Sequence, residues 1–443
     1  MIHRTQSRLL LLLAALWVVG GCAAQPLSSS AGKGESDSLA GEVLAAQDAA
    51  IEASSPDLVV LSGSGTVDYE FTDETLTAEQ EKLLLDYMNL YYQSLADLNA
   101  GDPTPLFSPG AADQALARES AWRTTIEVRS VQPVDLSLTA FFYRLTCTAI
   151  SINSDGDLSV SVREYAIQNF AAYPGVDSES HNVMHRFTLT QTAQGWRLAA
   201  HSQMDSANRL ALGSMMRWGS RGGSSGDIDA DTYLAERLEE VLAYHTDNLA
   251  ERARQATAYN LSAGPALVWQ YDYDREAAVA YALGWVETRN TGDWPSYDRL
   301  GGNCANYTSQ CLLAGGIPMD HYGTDQWKWY GSSPNTAQAA AGRSGSWSAV
   351  TQFYNYAAGN SGYGLVADAD ASYAAGEPGD LIQLGYEDDW RHVVIIADVL
   401  RDENGKAIDY LICSNTADLR SFPVSTYMYP RHRLIKIYGW NGF

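Results

Sequence analysis

Four apolar runs with strand character follow one another in the last quarter of the chain: Leu381 to Leu384, Val393 to Val399, Ile408 to Cys413 and Leu434 to Tyr438. The helical repeats of the same half, Asp274 to Asn290 and Cys304 to Leu313, all precede them. This order constrains the fold more than any other feature. Parallel strands need long crossovers, usually helices, between them. Strands that run on after the helices therefore form an antiparallel sheet with the helices packed on it, an α+β architecture.

The second helical repeat opens in an unusual way. Gly301-Gly302 permits a tight backbone turn, and Cys304 follows at the head of the helix. A helix start offers unpaired N–H groups and the positive end of the dipole, which lower a thiol pKa and can receive an oxyanion. Cys311, two turns on, reads as packing. Far downstream, His392 opens the apolar run Val393 to Val399, beside a polar loop. An imidazole at that place can take the thiol proton and return it to a leaving amine. A third group must orient the ring. Asn415, just after the run ending at Cys413, is the first choice; Asp418 and Asp398 are alternatives, with Asp398 last. His321, in a loop, and His432, between arginines, open no buried strand. Cys304, His392 and Asn415 together predict a cysteine hydrolase acting on amides, with no metal or organic cofactor.

These residues lie in a recognisable pattern. Tyr273-Asp274-Arg275 with the helix to Tyr281, Asn303-Cys304-Ala-Asn306-Tyr-Thr-Ser309-Gln310, Leu-Ala-Gly-Gly316, Ser346-Trp347, Gly379-Asp380 and His392-Val393 occur in order. Over about residues 271–416 the chain resembles the putative amidase domain family of bacterial secreted proteins, related to CHAP-type and other papain-like wall hydrolases. The resemblance implies a papain-like domain with Cys304 as nucleophile and His392 as base. It leaves Asn306, Ser309 and Gln310 as helix-start and packing groups. Two positions depart from the family pattern: Asn303 stands where Asp is common, and Asn415-Thr416 where a His-Thr pair is common. An asparagine can still orient a histidine. Asp380 reads as structural, a turn carboxylate satisfying backbone donors. Trp327, Trp329, Tyr330, Trp347 and Tyr354 fit either a glycan or peptide groove or aromatic packing.

The N-terminal half reads differently. His3, Arg4 and Arg8 precede the apolar run Leu9 to Val19, which is short for a membrane span, and Val19-Gly-Gly-Cys22 resembles a bacterial lipobox. Residues 1–22 are thus expected to be a signal peptide ending at a lipidated Cys22, and 23–58 a tether. Residues 59–205 read as an α+β accessory domain. Thr77-Ala-Glu-Gln80 is a capping box, Leu83, Leu84, Tyr87, Leu90, Tyr91 and Leu95 repeat at helical spacing, and a shorter helix spans Gly110 to Ala121. Strand-like runs Val134 to Ile152, Leu158 to Ala171, His185 to Gln191 and Gly195 to Gln203 follow, with hairpin chemistry at Asn153 to Gly156 and Thr192 to Gly195. That element order resembles the cone-shaped SnoaL and nuclear-transport-factor-two fold. His181, His185 and His201 read as surface or satisfied core residues, and Cys147 as a small buried one. Residues 206–230 form a linker, 231–259 a connecting helix, and 271–443 the papain-like domain.

Composition bounds the partners. The chain has 443 residues, 53 acidic and 29 basic, a formal charge of −24. It shows no basic patch, so nucleic acid is not expected as a partner. Cys147, Cys304, Cys311 and Cys413 are too irregularly spaced for a disulfide framework. The expectation is a bacterial lipoprotein on the outer face of the cytoplasmic membrane, held there through its lipid anchor. It would hydrolyse amide bonds in peptidoglycan peptides or another amide substrate. The alternative is a catalytically silent lipoprotein that binds wall peptides in the same cleft.

Overall fold

The structure is a computed structural model that describes residues 63–203, 211–212, 230–261, 267–387 and 389–443. Cys22, the expected signal peptide, all of the expected tether and most of the expected linker 206–230 lie outside the described residues. The fold is mixed α+β, built on a large and mostly antiparallel sheet.

The first half begins with strand β1 (Ser64–Tyr69) and helices α1 (Ala78–Asp97) and α2 (Ala112–Ser130). The capping box at the head of α1 is formed: Thr77 accepts from the Gln80 amide, and the Gln80 side chain accepts from the Thr77 amide at 2.8 Å. Leu83, Leu84, Tyr87, Met88, Tyr92 and Leu95 turn to the core at the spacing of one helix face. Strands β2 (Leu138–Ile152), β3 (Leu158–Phe170), β4 (Ser178–Thr192) and β5 (Gly195–Gln203) follow as antiparallel neighbours. Strand β4 starts seven residues before the expected His185. Its first part finds a partner from the far end of the chain, which local sequence does not reveal.

A long helix α3 (Ala230–Ala258) leads to the second half. There a short strand β6 (Tyr271–Asp272) precedes helices α4 (Arg275–Gly284) and α5 (Cys304–Ala314). A two-stranded ribbon, β7 (Trp329–Tyr330) with β8 (Gly342–Arg343), and helices α6 (Gly345–Ser348) and α7 (Val350–Gly359) come next. The sheet strands are β9 (Gly364–Ala371), β10 (Leu381–Tyr386), β11 (Asp389–Arg401), β12 (Ala407–Ser414), β13 (Asp418–Pro423) and β14 (Arg431–Asn441). Helices thus precede the main strands, as the order of repeats predicts, with α7 and β9 added between. Among the described residues no helix is long and apolar enough to cross a membrane.

All these strands except the ribbon lie in one sheet, in the order β1-β2-β3-β4-β13-β12-β11-β10-β14-β6, with β5 on β4 and β9 on β14. The join is made by β4, which divides its length between two neighbours. Residues from His185 onward pair with β5, while Glu179, Ser180 and His181 pair with Arg420, Leu419 and Asp418 of β13. Asn182, at a left-handed φ of 57°, marks the bend between the two segments.

Strand alternation then sorts the second half into two cores. Val393 and Ile395 of β11 pack with Cys413 and with helices α4, α5 and α7. Val394 and Ile396 face the opposite way, with Ile412 and Leu434, in a core that continues into α1 and strands β2 to β5. Two halves that meet through both hydrogen-bonded strands and a common apolar core bury surface that either would expose alone.

Within the first half, His185 and His201 are satisfied core residues, as expected. They stand in a buried chain of hydrogen bonds: Tyr92 to Glu164 (2.5 Å), Glu164 to His185 (2.9 Å), His185 to His201 (3.0 Å) and His201 to Tyr87 (2.8 Å). His181 lies 3.1 Å from Glu179. Cys147 is fully buried in β2.

Candidate active site

Helix α5 is short and buried almost all round, which is why its polar residues all find partners inside. Gly301 and Gly302 approach it at φ of 112° and 128°, where a side chain is strained. A Cβ on Gly302 would also stand 3.3 Å from the Thr416 hydroxyl. Asn306 accepts from the Trp347 indole (2.8 Å), Ser309 accepts from the Trp327 indole (3.0 Å), and Gln310 accepts from the Tyr281 hydroxyl (2.8 Å). These are the packing roles expected of the motif. They also account for the Ser346-Trp347 pair, whose tryptophan locks α5 in place. Trp327 and Trp347 are wholly buried, so aromatic packing is their role.

The turn between α5's lead-in and the strands is built by two neighbouring residues just past the end of β12. Thr416 Oγ1 accepts from the Asn303 amide at 2.7 Å. Asn415 Oδ1 accepts from Asn303 Nδ2 at 2.6 Å, while its own amide donates to the carbonyls of Trp285, Val286 and Thr288. Asn303 and Asn415 are thus hydrogen-bonded to each other.

Cys304 stands at the first position of α5 and keeps 7% of its surface, whereas Cys147, Cys311 and Cys413 keep none. Burial pushes the Cys304 thiol pKa up. Nearby backbone N–H groups oppose that shift, first that of Val393 and then those of Ala305 and Cys304 itself. The first belongs to the peptide unit joining His392 to Val393, so the sulfur lies against the backbone of the expected base. No hydrogen bond between the sulfur and the imidazole is among the described contacts.

His392 is not the opening residue of its strand, as the sequence suggests. β11 begins at Asp389, with an irregularity between Leu384 and Gly385 of the facing strand β10 that leaves Arg391 unpaired there. The imidazole lies on the side of Val394 and Ile396. Its Nε2 is 2.9 Å from Ser414 Oγ and 3.2 Å from the Tyr427 hydroxyl. Ser414 Oγ also lies 3.1 Å from the Thr416 carbonyl, to which it can donate. Ser414 and Tyr427 thus hold the Nε2 side of the ring, and Nδ1 lies outside these contacts. Burial lowers the His392 pKa to about 4, so the ring is neutral at pH 7.

The structure thus places the Cys304 sulfur near the amide of Val393, the residue after His392, and Asn415 against Asn303. Asn415 does not bond the imidazole; Ser414, one residue earlier, does. Asp418 is bonded to Arg289, Asn182 and the Thr416 amide, and Asp398 is exposed on β11, so neither meets His392. His321 lies 3.4 Å from the Tyr330 hydroxyl, and His432 bonds the Tyr429 carbonyl. Sequence reasoning missed Ser414 and Tyr427. Only the strand register could have shown Ser414, and no local signal marks Tyr427. Among the described residues no three His, Cys, Asp or Glu side chains converge to hold a metal ion.

Comparison with known proteins locates the similarity in this half. A crystal structure of the intermembrane space region of chloroplast protein ARC6 aligns with 30% of this chain and all of its own, at 13% identity and a TM-score of 0.21, too low to bear on the fold. The uncharacterized protein YhbB of Bacillus subtilis (strain 168) is 29% identical over 185 residues, 38% of this chain and 56% of its own. The chain thus spans only about half the length of that relative. Residues 272–439, from β6 through most of β14 and including α5 and β11, match the family described as "Putative amidase domain", and this part of the chain is similar to that family.

Proposed function

We propose that the protein is a cysteine-dependent amide hydrolase in which Cys304 is the nucleophile and His392 the general base. The observation that carries this reading is a thiol at the head of a buried helix, beside the Val393 amide and so next in the chain to a buried, neutral imidazole held by Ser414 and Tyr427. With both groups neutral at pH 7, proton transfer accompanies attack rather than preceding it. As the sulfur adds to the carbonyl carbon, His392 Nδ1 takes the thiol proton. The N–H groups near the sulfur face the developing oxyanion. The protonated ring then gives its proton to the departing amine, leaving a thioester, which water hydrolyses with His392 again as base. The imidazole packs on the Val394 face of β11 and the sulfur against the Val393 side, so the reading requires the His392 ring to turn towards the thiol when substrate binds.

Ser414 and Tyr427 take the orienting place expected of Asn415, and Asn415 takes the task of holding Asn303. The lipobox around Cys22 and the resemblance to wall hydrolases support peptidoglycan stem peptides as substrate and the outer face of the membrane as location.

Digestion of purified cell wall, followed by mass analysis of released fragments and titration of new amines, tests this. Wild-type protein should release amines, while Cys304→Ala and His392→Gln should lose at least about a hundredfold in rate with unchanged far-UV dichroism. Iodoacetamide, read by peptide mapping, should label Cys304 ahead of Cys147, Cys311 and Cys413. Undiminished hydrolysis by Cys304→Ala would overturn the reading. Tight binding of wall peptides without any hydrolysis would favour the silent binding module instead.

A further inference from the structure

The turn that joins β12 to β13 is strained. Thr416 has φ of 119° and Ala417 φ of 58°, both in the region that favours glycine, and Thr416 is β-branched. Such conformations persist only when their surroundings over-determine them, and they gather at functional sites. This turn carries the hydroxyl that meets His392 Nε2 (Ser414), the partner of Asn303 (Asn415) and the cap on the Asn303 amide (Thr416). Whatever holds it sets both the start of α5 and the Ser414 contact to His392.

What holds it is Asp418, and Asp418 is held from two sides. Its Oδ1 accepts from the Thr416 amide (3.2 Å) and from Arg289 (2.9 Å), which also grips Asp298 (2.8 Å) in the loop leading to α5. Its Oδ2 accepts from Asn182 Nδ2 (2.8 Å), and Asn182 also bonds the Glu287 carbonyl (3.1 Å). Asn182 belongs to the first half of the chain, at the bend of β4, next to the three residues that pair with β13. Ser178 adds a further bond to the Ser421 carbonyl at 2.7 Å. The match to the putative amidase domain begins only at residue 272. One side of this clamp therefore comes from outside that domain.

We propose that the N-terminal half is a working part of the active site, and that Asn182 is a positioning residue. Through Asp418 it holds the strained β12–β13 turn, and through that turn it sets the start of α5 at Cys304 and the Ser414 contact to His392. The inference rests on the proposed thiol–imidazole chemistry for its kinetic consequence, but not for its structural one.

Two variants of the full chain test it. Asn182→Gly keeps the left-handed backbone and removes the amide. Asn182→Asp keeps the shape and turns a carboxylate towards Asp418. Hydrogen exchange over residues 297–306 and 412–420 reads the turn directly, and both variants should exchange at least about threefold faster there, while residues 138–170 stay as in wild type. The rate of Cys304 alkylation should fall severalfold, with its pH midpoint moved upward because the sulfur loses N–H donors. In hydrolysis, kcat should fall with KM unchanged. Met184→Ala, on the same strand but exposed, should behave as wild type. Unchanged exchange in both Asn182 variants would overturn the clamp. Faster exchange with an unmoved alkylation midpoint would overturn the positioning role. Faster exchange in a protein whose wild-type Cys304 neither alkylates nor hydrolyses would keep the clamp and sink the proposed chemistry instead.

Discussion

The hydrogen bond between Asn303 and Asn415 turns two separate departures from a family pattern into one change. Asn303 Oδ1 already accepts from the Tyr297 amide (3.0 Å) and from Asn306 (3.0 Å), so only its Nδ2 is left to meet Asn415 Oδ1. Asn415 cannot turn over, because three carbonyls hold its amide. Asn303→Asp alone would set a buried carboxylate oxygen against an amide oxygen, and should cost about 2–4 kcal/mol. Adding Asn415→His restores a donor to that carboxylate and a second N–H for the carbonyls. The double variant should recover at least about 1 kcal/mol of that loss, measured as coupling in a denaturation cycle. Additive losses would show that the two sites do not sense each other. The same neighbourhood shows where residue-level reading stops. The helix start at Cys304 and the buried strand after His392 could be read from the sequence because a glycine turn before a helix and a polar-to-apolar switch are local. Whether Ser414 or Asn415 faces the imidazole depends on register. Cys413 stands opposite Ile395, on the sulfur's side of the sheet, so the next residue takes the histidine's side. No window of sequence holds that information.

Elements are held to one another by a buried charge. Asp380, before β10, is fully buried. Its Oδ1 accepts from Arg275 of α4 (2.8 Å) and from the Ile437 amide of β14 (2.9 Å), and its Oδ2 accepts from the Glu377 amide (3.0 Å). Burial raises its pKa, and the Arg275 guanidinium beside it is the chief opposing influence. The backbone donors were legible in the Gly379-Asp380 turn. The guanidinium was not, since it comes from a helix over a hundred positions earlier. Arg275→Met should therefore destabilise by about 3 kcal/mol, because it strands a buried carboxylate. Lys436→Met, whose ammonium is 3.7 Å from Asp380, should cost less. Thermal melts of the two variants decide it, and equal losses would assign the charge balance to Lys436. Strand β13 went unread for a related reason. Asp418 to Pro423 lacks an apolar alternation, and the segment is a strand because β4 and β12 flank it on both sides.

Across the whole molecule, acid should act through histidines buried as neutral rings. Burial lowers His392 and His245 to about 4, and holds His201 and His432 well below their usual value. In the unfolded chain each imidazole takes up a proton near pH 6.5, while in the fold it does not until near 4 or lower. The unfolded state therefore binds more protons in between, and stability falls as pH drops from about 6.5 towards 4. Two buried carboxylates, Asp380 and Asp409, are raised by burial and act in the opposite sense, binding protons in the fold first. Two groups against four leave the imidazoles dominant. The four histidines are spread over β5, α3, β11 and β14, and so load both halves of a shared core rather than one. The midpoint of thermal unfolding should be flat above pH 7 and fall steadily to pH 4.5, in one transition for both halves. His245→Gln should flatten the slope by about a proton's worth without touching the thiol. A midpoint that rises on acidification would mean that the carboxylates outweigh the rings. Two separate transitions would mean that the strand pairing between β4 and β13 is too weak to couple the halves.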